Sequence, residues 1–62
     1  MNAWLVVMAV GLASRRTVVR AADEQHARCV ATLYWQMRGE VAGEIEFARE
    51  LPSNSVYAKA AV

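Results

Sequence analysis

"MNAWLVVMAVGLASRRTVVR", residues 1–20, runs apolar from Ala3 to Ala13, then meets Arg15 and Arg16, and holds no acidic residue before Asp23. How this run is held decides the fold. Read as a helix, Met1 to Ser14 reaches about 21 Å at 1.5 Å per residue, short of the roughly 30 Å hydrocarbon core of a bilayer. Continuing to Val19 nearly closes the gap, provided Arg15 and Arg16 snorkel to headgroups or pair with acids of neighbouring proteins. Trp4 then lies near one interface and the arginines near the other, on the cytoplasmic or matrix side. A secretory signal fits the apolar length and the small residues Gly11, Ala13 and Ser14 but lacks a charged start. A mitochondrial presequence fits the arginines but not a segment apolar on every side from Trp4 to Val10. A buried helix of a soluble bundle is the remaining reading. An all-round apolar helix needs more protein than this chain contains to bury it in water, so the membrane reading leads.

Length sharpens the problem. A chain of 62 residues is one structural unit at most, and folding alone it buries only roughly 60% of its unfolded surface. The single cysteine, Cys29, allows no internal disulfide, and no Cys or His spacing resembles a structural zinc site. Hydrophobic residues reach 56%, but many are Ala and Val, with one Phe. These features predict a chain without an autonomous globular core, supported by oligomerisation or a larger host. A net charge of +1 gives no field that argues for nucleic acid.

Beyond Thr17 there is no proline before Pro52. Val19, Ala22, His26, Val30, Leu33, Tyr34, Met37, Val41, Ile45, Ala48 and Leu51 recur in steps of three or four. They occupy a sector roughly 140° wide on a helical wheel, which predicts an amphipathic helix over 21–51. Arg20, Glu24 and Arg28 follow at i, i+4 on its solvated side. Gly39 and Gly43 each cost about 1 kcal/mol against Ala inside a helix. They mark either a bend at 39–43 or, beside Trp35, notches for a second helix. Pro52 stops the helix, leaving 52–62 as a short tail.

Chemistry is sparse. His26 and Cys29 share a helical face at i, i+3, but two ligands, even with Asp23 a turn earlier, do not make a zinc site. Nor do they make a nucleophile and base without a pocket and an orienting group. Glu40, Glu44 and Glu46 lie close together and more plausibly answer basic partners than do acid-base work. No phosphate loop or nucleotide fingerprint occurs, and basic-aromatic interleaving is absent. No catalytic, cofactor-binding or metal residue is expected, and no nucleic acid or small-molecule substrate.

The order of parts resembles the small supernumerary subunits of mitochondrial respiratory complexes. So does the local wording "AADEQHARCVATLYWQMRGE" and "EIEFARELPSNSVYAK", which looks like the charged, aromatic-bearing tails of their single-span members. The resemblance implies a non-catalytic accessory subunit that binds no cofactor and stabilises a membrane assembly, most plainly in the mitochondrial inner membrane. The expected fold is all-α: a membrane helix over 1–20, an amphipathic helix over 21–51 and a tail over 52–62. Trp4, Leu5, Val6, Val7, Met8, Val10 and Leu12 are then membrane-embedded, and Arg15, Arg16 and Arg20 meet headgroups or acidic partners. Val30, Leu33, Tyr34, Trp35, Met37, Gly39, Val41, Gly43, Ile45 and Leu51 pack against other subunits. The alternative is a soluble helical module that homodimerises into a bundle.

Overall fold

A computed structural model of the chain describes residues 1–55, 58 and 59. Its elements are strand β1 (Asn2–Val10), strand β2 (Ala13–Ala21), helix α1 (Glu24–Met37) and strand β3 (Ala42–Glu50). They form a three-stranded sheet in the order β2-β1-β3, with β1 antiparallel to both neighbours. The all-α expectation is therefore overturned. The expected membrane helix over 1–20 is a β-hairpin, and the expected helix over 21–51 is a helix of 14 residues followed by a strand. No helix among the described residues is long and apolar enough to cross a membrane.

The hairpin follows from local chemistry. Val6, Val7, Val10, Thr17, Val18 and Val19 are β-branched and favour a pleated surface. Gly11 and Leu12 are the two-residue loop between Val10 and Ala13, which pair directly. Gly11 stands at φ +61°, the positive value that a Gly-first hairpin turn requires and that glycine adopts without a Cβ clash. Its N–H donates to the Val41 carbonyl at 2.9 Å, tying the turn to the approach of β3.

Helix α1 is bounded by side-chain and backbone caps. The Asp23 carboxylate accepts from the His26 N–H at 2.8 Å, and the His26 Nδ1 accepts from the Ala22 N–H at 3.0 Å. These bonds satisfy donors that a helix start leaves open. At the other end the Gly39 N–H donates to Gln36 and the Glu40 N–H to Trp35, each at 3.0 Å, with Gly39 at φ +81°. This is the left-handed glycine cap that ends helices, so Gly39 stops the helix and offers no notch to another. Glu24 and Arg28 pair at 3.0 Å along α1, whereas Arg20, expected on the same helix, is on β2.

One face of the sheet carries the main core. Val6, Met8, Val10, Val19 and Ala21 pack with Ala27 and Ala31 of α1, and Trp4, Val30, Trp35, Ala42, Ile45 and Ala48 close around them. Ala27 and Ala31 are fully buried; their small side chains let the helix axis come close to the strands. Trp35, expected on the back of its helix, instead reaches the sheet, where its indole N–H donates to the Thr17 hydroxyl at 2.7 Å. The expectation of a chain with no core of its own fails on this cluster. β1 is apolar from Ala3 to Val10 because it is the central strand: α1 covers one of its faces, and side chains of the flanking strands shade the other.

β3 is the irregular strand. Its pairing with β1 shifts between Val7 and Met8 and again between Met8 and Val10. Such bulges bend and twist an edge strand, which hinders pairing with another chain. At Gly43 a Cβ would stand 3.2 Å from the Ala9 Cβ and 3.3 Å from the Ala9 carbonyl oxygen. The glycine thus admits β1, not a second helix.

Candidate functional site

Among the described residues no α-helix lies over the second face of the sheet, and Ala58 packs at one end of it. Successive strand residues point to opposite faces, so Leu5 and Val7 face away from the core that holds Trp4, Val6 and Met8. Pairing builds rows across this open face. Arg16 on β2, Val7 on β1 and Phe47 on β3 form one row; Val18, Leu5 and Arg49 form the next. With Leu51 these side chains line a groove of about 490 Å³. Its floor is apolar, and Arg16 and Arg49 stand at diagonally opposite corners.

The groove is closed at one end and polar at the other. Ala3, Leu51 and Ala58 form a small cluster, with Leu5 and Val18 against it, and the Arg20 guanidinium donates to the Ala58 carbonyl at 3.5 Å. The Ser14 hydroxyl meets the Glu46 carboxylate at 2.8 Å, joining the two outer strands at the hairpin end. Asn2 and Glu50 bond to each other across the β1–β3 edge. Val7 is only 9% exposed although no element covers it, while Phe47 is 44% exposed; the longer side chains around Val7 shade it. Neither Arg16 nor Arg49 has an ion pair or a side-chain hydrogen bond among the described residues.

The residues singled out in the sequence are redistributed. Of those expected in a bilayer, Val6, Met8 and Val10 belong to the core under α1, with Trp4 at its margin; Leu5 and Val7 floor the groove; Leu12 stands fully exposed at the turn. The membrane location and the membrane-subunit role expected from residues 1–20 fall with that helix, since strands now hold these side chains. The helical-bundle alternative falls too, because α1 is the one helix among the elements and packs on its own sheet. Arg16 lines the groove, Arg20 lies beside its closed end, and Arg15 shares the face of Met8, its neighbour across the hairpin.

The expected packing residues separate in the same way. Val30, Tyr34 and Trp35 are half-buried on α1, whereas Leu33 and Met37 point outward at 55% and 85% exposure. The Tyr34 ring meets Trp35 edge-on and carries the Arg38 guanidinium 5.1 Å from its centroid. Val41 is exposed before β3, Ile45 joins the core margin, and Leu51 is buried at the closed end of the groove. Val18, Phe47 and Arg49 were not among the expected contact residues. Ile45-Glu46-Phe47-Ala48-Arg49 shows no clean period-two alternation, because the register shift between Val7 and Met8 puts Ile45 and Phe47 on opposite faces.

No catalytic constellation assembles among the described residues. His26 and Cys29 are exposed on α1, and His26 already uses Nδ1 as an acceptor. No group of three metal-ligating side chains converges. What the fold offers is an apolar surface with two cations free to bond. Comparison with protein-family models, with curated proteins and with solved structures finds no match to this chain.

Proposed function

We propose that the chain is a non-catalytic interaction module that docks a partner protein on the open face of its sheet. One observation carries this reading: Leu5, Val7, Val18 and Phe47 form an apolar floor on the side of the sheet that α1 does not cover. An antiparallel sheet with a free face ordinarily alternates, apolar toward the core and polar toward water. Here the alternation is broken in favour of apolar side chains, and the parts of Phe47, Leu5 and Val18 that meet water carry a free-energy penalty of about 25 cal/mol per Å² that a partner would relieve.

Selection of ligands from a random peptide display library on the folded chain tests the proposal. Selected peptides are expected to lose binding to Phe47→Ser and to keep it on Leu33→Ser. Both positions are exposed, so neither change threatens the core. Failure to select any peptide, or equal loss on the two variants, would refute the open face as a docking surface.

A further inference from the structure

We infer that the occupant of the open face is an amphipathic α-helix of a partner protein, its apolar stripe flanked by acidic side chains that meet Arg16 and Arg49. This inference rests on the interaction-module reading and specifies its ligand. The first argument is shape. The floor runs along β1 from Leu5 to Val7, with Arg16 and Val18 rising on one side and Phe47 and Arg49 on the other. Arg16 and Arg49 are two strands apart across the sheet and two residues apart along it. Two strand spacings put them about 10 Å apart across the sheet, which is about the width of one helix with its side chains. A helix laid along β1 completes a third layer over the sheet, mirroring α1 on the other side.

The second argument is charge. The open face carries Arg16, Arg20 and Arg49; of the acids at its ends, Glu46 is bonded to Ser14 at the hairpin end and Glu50, beside Arg20, is bonded to Asn2. The offset between Arg16 and Arg49 along β1, about 7 Å, equals the rise of about five helical residues, and positions i and i+5 lie about 140° apart around a helix. Acids at that spacing flank an apolar stripe of ordinary width. Both guanidiniums are then met by carboxylates, each able to form a paired, charge-assisted bond.

A second copy of this chain is the poorer occupant. Two open faces stacked together oppose three arginines with three. The exposed apolar stripe of α1, Leu33 and Met37, offers no free carboxylate on its helix to an arginine-flanked groove, because Glu24 is paired with Arg28 and the other charge near the stripe is Arg38. Single-stranded nucleic acid is also disfavoured. Among the described residues the face has one aromatic, Phe47, where stacking platforms use several, and the chain's pI is about 8.0, below the range of typical nucleic-acid domains.

The probe is a designed helical peptide of about four turns, with a leucine stripe and glutamates on both sides at i, i+5. Its twin carries lysines in their place. NMR titration of the chain is expected to show the acidic peptide shifting the amides of Leu5, Val7, Val18 and Phe47. The lysine twin should bind at least about tenfold more weakly, and Arg16→Glu with Arg49→Glu should reverse that preference. Equal binding of the two peptides overturns the inference, as does a response confined to α1, binding without a gain in helical circular dichroism, or displacement by a short single-stranded oligonucleotide. Selection of display peptides that are basic or extended, yet still sensitive to Phe47→Ser, would refute the acidic helix and leave the interaction module standing. An empty selection would refute both.

Discussion

The hydrogen bond from the Trp35 indole to Thr17 is, among the described residues, the one polar link between side chains of helix and sheet at the core, and removing it should be measurable. Thr17 is 5% exposed and the donor–acceptor distance is 2.7 Å, so each group depends on the other for a partner. Thr17→Val keeps the shape and leaves the indole N–H without its acceptor, at a cost of about 1–2 kcal/mol because the bond is only part-buried. Trp35→Phe leaves the Thr17 hydroxyl without its donor, a further penalty of about 1–3 kcal/mol, and also removes ring contact with the core. In the double variant neither orphan remains, so the coupling energy should be about 1–2 kcal/mol. Total stability for this length is about 3–9 kcal/mol, and each kcal/mol shifts the melting temperature by about 4–8 °C. Urea unfolding followed by far-ultraviolet circular dichroism gives all four corners of the cycle. Single losses that add to within about 0.3 kcal/mol would refute the bond, and with it the docking of α1 through Trp35.

Two further outcomes test the hairpin and the core. Gly11→Ala should lower stability by about 1 kcal/mol in urea unfolding, although nothing lies within 4 Å of the added methyl, because the loss comes from the positive φ alone; an unchanged midpoint would argue against the turn. Met8→Ala, at a fully buried position on the central strand, should cost about 2–5 kcal/mol, seen as a large fall in the urea midpoint; an unchanged midpoint would argue against Met8 at the centre of the core.

Some of the molecule was legible before its shape was. The Glu24–Arg28 pair and the helical phase of Val30 and Tyr34 came directly from spacing along the chain, since neighbours at i, i+4 meet on any helix, whereas Trp35 was assigned to the wrong face. The absence of a disulfide framework followed from one cysteine. The reading failed where two structures share one pattern. A strand buried on both faces and a membrane or core helix are both unbroken apolar runs, and periodicity does not separate them. Two local signals favoured strand and carried too little weight: the Gly-first turn at Gly11-Leu12 and the β-branched residues on either side of it. The stripe at Val41, Ile45, Ala48 and Leu51 continued the helical phase through Gly39, and the glutamates of β3 have good helix propensity. Gly39 ended the helix nonetheless, and pairing with β1 overrode propensity.

Taken alone, the order of residues determined helix in the middle of the chain, though drawn too long, a stop at Pro52, and a concentration of arginine between residues 15 and 20. Only the tertiary structure decided that residues 2–10 become the central strand and that Arg16 and Arg49, 33 positions apart in the numbering, border one groove. The reason is that strand pairing joins residues with no fixed separation along the chain. A helix satisfies its backbone hydrogen bonds within four residues, so spacing reveals it; a sheet satisfies them with whatever segment lies alongside, and the face it builds exists only after pairing.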